Sequence, residues 1–92
     1  MLAIDLSRQA AAFLEGLPSK QARLVAERIQ ALAIDHSALP SELLRGYAPM
    51  RRLRAGEFRI IYAIVDEVVQ VRLIGKRNDD EIYKALERGW RK

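Results

Sequence analysis

Two runs, Phe58-Arg59-Ile60-Ile61-Tyr62-Ala63-Ile64-Val65 and Val68-Val69-Gln70-Val71-Arg72-Leu73-Ile74, flank the pair Asp66-Glu67. Both are rich in β-branched and aromatic residues, so they read as two long strands joined by a tight turn. A two-residue turn sets Ile64 opposite Val69, Tyr62 opposite Val71 and Ile60 opposite Leu73, with Phe58 near Gly75. That face is almost wholly apolar. Alternation with period two gives the other face Val65, Ala63, Ile61 and Arg59 against Val68, Gln70, Arg72 and Ile74.

The preceding run, Met50-Arg51-Arg52-Leu53-Arg54, reads as a third strand, joined to Phe58 through Ala55-Gly56, where glycine supplies the positive φ that a tight turn often needs. In this register Leu53 sits beside Phe58, Arg52 lies across from Arg59, and Arg54 lies across from Glu57. The second face then gathers Arg52, Arg54, Arg59 and Arg72. Like charges directly opposite each other in a sheet are unfavourable, so the arrangement asks for an anion. A slip of one residue would undo it.

Toward the N-terminus, Leu2-Ala3-Ile4 reads as an edge strand and Ser7 as the cap of a helix beginning at Arg8. Phe13, Leu14 and Leu17 form its buried side, and Gly16 and Pro18 end it. Ser19 is the cap expected for a longer helix to about His36, with Leu24, Val25, Ile29, Leu32 and Ala33 at helical spacing. The two helices form an antiparallel pair over the apolar face of the hairpin. Residues 38–49, with two prolines and a glycine, read as a loop in which Tyr47 packs over the sheet edge or stacks on a base. Asn78-Asp79-Asp80-Glu81 reads as a helix start, giving a short helix from 79 to about 89 docked by Ile82, Leu86 and Trp90. The fold class is therefore α+β in a single domain spanning 1–92: strand, helical hairpin, small antiparallel sheet, short C-terminal helix.

With no cysteine, a disulfide framework and a thiolate metal site are excluded, and a reducing cytoplasm is the simplest location. No signal-peptide pattern or membrane-length apolar run is visible. The net charge of +4 is uneven: residues 1–49 hold five basic and five acidic side chains, so the whole excess falls in 50–92. Localised positive charge marks either a polyanion partner or an ordinary basic surface.

There is no Walker loop, dinucleotide-binding turn, metal-ligand spacing or Ser-His-Asp set, and His36 is the single histidine, placed at a helix C-terminus where a cation is favoured. Phosphoryl-transfer chemistry here must rest on positioning and positive charge, without metal or cofactor. Arginine holds two phosphate oxygens in its fork but is not an ordinary base. Tyr83, six residues after Arg77, is the candidate base or hydroxyl-orienting group, its ionised form favoured by neighbouring arginines. Lys84, Arg88, Arg91 and Lys92 contact phosphates or form a solvated helix face.

Leu53-Arg54-Ala55-Gly56-Glu57-Phe58-Arg59-Ile60-Ile61-Tyr62, followed by Ile74-Gly75-Lys76-Arg77-Asn78-Asp79-Asp80-Glu81-Ile82-Tyr83, resembles the core signature of RelE toxins in the RelE/ParE superfamily of toxin–antitoxin systems. The resemblance implies a microbial-ribonuclease-like toxin that enters the A site of the 70S ribosome and cleaves mRNA, the 2′-hydroxyl attacking the adjacent phosphate. It implies that Arg52 steadies charge in place of a lysine, Arg59 grips the phosphate, Arg77 assists the leaving oxygen or the phosphate, and Tyr83 orients or deprotonates the hydroxyl. Arg54, Arg72, Lys76 and Lys84 are the further RNA-contact candidates. Met50 departs from the pattern, which often has a second lysine there, while the neighbouring Arg51 is expected on the other side of the sheet. The resemblance also implies a cognate antitoxin, expected as an acidic amphipathic segment in a complex of higher order. A ParE-like inhibitor of DNA gyrase and a non-catalytic RNA- or partner-binding relative are the alternatives.

Overall fold

The computed structural model describes residues 1–77 together with Lys84, Glu87 and Arg88. The elements run β1 (Ala3–Leu6), α1 (Arg8–Glu15), α2 (Ser19–Asp35), a 3-10 turn (His36–Ala38), β2 (Ser41–Leu43), β3 (Arg51–Ala55), β4 (Phe58–Val65) and β5 (Val68–Lys76). One five-stranded sheet results, in the order β1-β5-β4-β3-β2. Only β1 is parallel to its neighbour, so the sheet is mixed.

Ser7 starts α1 as expected, its hydroxyl accepting from the Ala10 N–H at 3.1 Å and donating to the Arg72 carbonyl at 2.6 Å. One side chain thus caps the helix and straps it to β5. The cap position of α2 falls on Pro18 rather than Ser19, which is the first helical residue, and the Ala22 N–H bonds the Pro18 carbonyl at 2.9 Å. Val25, Ile29, Leu32 and Ala33 of α2 join Ala10 and the sheet residues Leu53, Ala55, Phe58, Ile60, Tyr62, Val69, Val71 and Ile74 in the main core. Phe13 meets Phe58 edge-on, ring centroids 5.9 Å apart. Burying such side chains contributes about 1.5–3 kcal/mol each.

The β4–β5 hairpin turns on Asp66 (φ 51°) and Glu67 (φ 63°), both in the left-handed region, as a type I′ turn requires. Pairing matches the expected register through Tyr62–Val71, then shifts: Ile61 faces Leu73 and Ile60 faces Ile74, which leaves Arg72 as the extra residue of a bulge. Ile74 therefore joins the helix-side core and Leu73 packs on the other face, the reverse of strict alternation. The bulge lies where β1 ends. Beyond it the Gln9 side chain takes the place of a neighbouring strand, donating to the Ile74 carbonyl and accepting from the Ile74 N–H, both at 2.9 Å.

The β3–β4 connection is Gly56-Glu57 rather than Ala55-Gly56, with Gly56 at φ +62°. The register is consequently two residues from that expected: Arg54 opposes Arg59, Leu53 opposes Ile60, and Arg52 opposes Ile61. A shift of two preserves the face of every side chain. The segment read as loop also contains β2, three residues paired antiparallel to β3.

Two substitutions test the turns. Glu67→Gly relieves a left-handed non-glycine residue and is expected to stabilise the protein by a net ~0.5–1 kcal/mol in thermal unfolding. Gly56→Ala is expected to destabilise by about 1–2 kcal/mol, because φ is +62° and the added Cβ falls 2.9 Å from Leu24 Cδ2.

Candidate phosphate-binding face

The face of the sheet turned away from the helices has two halves. One is apolar: Met50, Ile61 and Ala63 are buried there, with Leu44, Tyr47, Val65 and Leu73 packed against them. Tyr47 thus packs, and Met50, at 1% exposure, is interior. Arg51 lies on the opposite side, across from Tyr62, its Nε donating to Ser41 Oγ at 2.7 Å. Ser41 Oγ also accepts from the Tyr62 hydroxyl at 2.9 Å.

The other half is cationic. Arg52 and Arg54 come from β3, and Arg59 from β4 directly opposite Arg54, a placement that brings Cβ atoms to roughly 4.5–5.5 Å. The repulsion has local relief. Arg59 turns Nη1 onto the carbonyls of Phe58 at 2.8 Å and Gly56 at 3.1 Å. Arg52 forms an ion pair with Glu42, its register neighbour on β2. The hydrogen bond from Arg52, and then its charge, hold the Glu42 carboxyl below the usual carboxylate range, with Arg54 and Arg59 adding to the same effect.

The Arg77 N–H donates to the Glu57 carbonyl at 2.8 Å, fastening the end of β5 to the β3–β4 turn. Arg54, Arg59 and the Arg77 backbone therefore meet at one end of the sheet, with Arg52 two pairs further along, on the same face. Round the sheet edge, Arg28 of α2 joins Ser41, Glu42, Arg52 and Arg54 in lining a cleft of about 480 Å³. Sequence reading missed both Arg28 and Glu42. Neither carries a local signal, since their role depends on β2 pairing in register with β3.

The remaining candidates do not gather there. Arg72 is exposed in the bulge, outside the alternating row with Arg59. Lys76 pairs with Phe58, whose ring belongs to the helix-side core, so it sits on that side of the strand. Lys84 is helical and exposed. Tyr83, the cap at Asn78 and the contacts expected of Ile82, Leu86 and Trp90 lie outside the described residues. Among the described residues no group of three or more His, Cys, Asp or Glu stands placed to hold a metal ion, and no helix is long and apolar enough to cross a membrane.

A family model described as the ParE toxin of type II toxin–antitoxin system, parDE, matches residues 4–81. The isolated RelE toxin of Escherichia coli is similar in structure, with TM-score 0.71 and 24% identity over 96% of this chain and 98% of that one. The RelBE2 toxin–antitoxin complex of Mycobacterium tuberculosis gives TM-score 0.71 and 23% identity, covering 83% of this chain and 98% of that one. An archaeal RelE–RelB complex from Pyrococcus horikoshii OT3 gives 0.65 and 20%, covering 84% and 96%. At these identities the likeness is one of fold. Curated protein sequences give no match.

Two outcomes follow from the site. Met50→Lys places an ammonium in the buried half-face and is expected to cost several kcal/mol in urea unfolding, against less than about 1.5 kcal/mol for Met50→Leu. Because the Glu42 pKa is lowered on folding, its contribution to stability is complete above the ordinary value of 4.5 and is lost as pH falls below it. The stability difference between the wild type and Glu42→Gln should therefore shrink on acidification from neutral pH to below 4.5.

Proposed function

The chain belongs to the ParE toxin family of type II toxin–antitoxin systems, within the RelE/ParE superfamily, and on that premise we propose that this toxin is an endoribonuclease acting on mRNA in the ribosomal A site. The observation that carries the reading is the convergence of Arg52, Arg54 and Arg59 with the Arg77 backbone at one end of an otherwise apolar sheet face. Fixed cations aimed at the charge of a pentacoordinate transition state contribute about 3–4 kcal/mol per group, by analogy with an oxyanion-hole donor.

In the proposed reaction the ribose 2′-oxygen forms a bond to the adjacent phosphorus as the bond to the 5′-oxygen breaks. The products are a 2′,3′-cyclic phosphate and a free 5′-hydroxyl. Tyr83 orients the attacking hydroxyl or takes its proton, Arg59 holds the non-bridging oxygens, and Arg77 stabilises the departing 5′-oxygen, which takes up a proton from water as the 2′-hydroxyl gives up its own. Arg52 offsets the accumulating charge once a phosphate replaces Glu42 beside it. Arg54 contacts RNA beside Arg59, and Arg72, Lys76 and Lys84 contact it away from the cluster. A cognate antitoxin is the expected protein partner; several of the similar toxins were solved with RelB.

A second reading, inhibition of DNA gyrase through protein contacts, draws support from the ParE description of the matching family. The burial of Met50, where the RelE pattern often has lysine, favours it too. Primer extension on a translated mRNA after induction separates the two. Cuts within codons that depend on translation, and that fall by roughly 10²–10³ in rate in Arg59→Ala and Tyr83→Phe, are the expected result. Growth arrest without cuts, accompanied by gyrase inhibition, would favour the second reading.

A further inference from the structure

The arginine cleft already holds an anion from the chain itself. Glu42 lies in register with Arg52 and is ion-paired to it. Arg28, Arg52 and Arg54 line the same cleft, and Arg54 opposes Arg59 on the neighbouring strand. A carboxylate set among these arginines presents two oxygens to a guanidinium fork, as the non-bridging oxygens of a phosphodiester do.

Resting on the RNA-directed reading above, we propose that Glu42 is a built-in competitor for phosphate, occupying the anion position of the arginine cleft until a phosphodiester of single-stranded RNA displaces it. Displacement is easy on structural grounds. The Glu42 side chain is 64% exposed, against 32% for Arg52, and ion pairs this accessible are weak. Its strand, β2, is three residues long and lies at the sheet edge. The carboxylate leaves by rotating into solvent while the backbone pairing of β2 stays intact. In its absence the like charges on β3 and β4 would face one another without this relief. Glu42 thus keeps the cluster assembled between encounters and lowers its affinity for adventitious polyanions.

The test is a fluorescence-anisotropy titration of the intact chain with a short unstructured oligoribonucleotide, 2′-O-methylated so that binding is read apart from cleavage. Glu42→Gln is expected to tighten binding about three- to tenfold and to steepen the salt dependence by about 0.7 in log–log slope, because no displaced carboxylate remains nearby to cancel the charge that neutralises one phosphate. Glu42→Ala should give the same gain, and neither variant should gain in an Arg52→Ala background. Equal or weaker RNA binding with an unchanged slope in both Glu42 variants would overturn the proposal. A gain for poly-glutamate without one for RNA would also overturn it, by assigning the cleft to an acidic peptide. If the RNA gain appears while the wild-type chain cuts no mRNA, the nuclease reading fails and the competitor role stands.

Discussion

The two-residue turn at Gly56-Glu57 fixes the register of β3 against β4, and with it which side chains stand opposite one another. With Gly56 at φ +62° the chain reverses so that Ala55 meets Phe58, and strict alternation does the rest. Leu53, Ile60 and Tyr62 enter the helix-side core, while Arg52, Arg54 and Arg59 emerge on the opposite face. A slip of one residue would drive two arginines under the helices and expose the apolar set. The large apolar side chains on this face, at about 1.5–3 kcal/mol each, make that alternative inaccessible. The charge cluster is held in place by a core it does not touch.

The opposite face is divided. Where the segment around Leu44 and Tyr47 folds over it, Met50, Ile61 and Ala63 make a second small core. Beyond that cover the face becomes cationic, and the proximity of like charges is offset by Glu42 and by the Gly56 and Phe58 carbonyls. A dry floor beside a row of fixed arginines suits electrostatic stabilisation of a phosphoryl group, because the cations are already in place before the charge develops. Met50 belongs to the floor. Restoring a lysine there would trade packing for a buried charge, which makes the position structural in this chain whatever its counterpart does in others.

The parts of the fold legible in the sequence were those with local signals. Ser7 before an amphipathic run, β-branched strands about Asp66-Glu67, and the apolar stripe of α2 each carry their own mechanism. The β3–β4 register was misplaced by two residues because Ala55-Gly56 and Gly56-Glu57 are both plausible turns, yet the composition of each face survived. Placing Leu73 and Ile74 on the wrong sides came from the bulge at Arg72, which coincides with the end of β1 and the substitution of the Gln9 amide for a strand. No neighbour in sequence announces that. β2 escaped because three residues give too little alternation to read, and with it went Glu42 and the cleft.

The measurement that bears most directly on the arginine face is an NMR titration of the isotope-labelled chain with a non-cleavable 2′-O-methyl oligoribonucleotide, followed at backbone amides and arginine side chains. Shifts concentrated in 41–43, 52–59 and 75–77, with the Arg52 and Arg59 side chains among the largest, are expected. Shifts confined to α1 and α2, or absent from the β3–β4 turn, would contradict a phosphate site on this face.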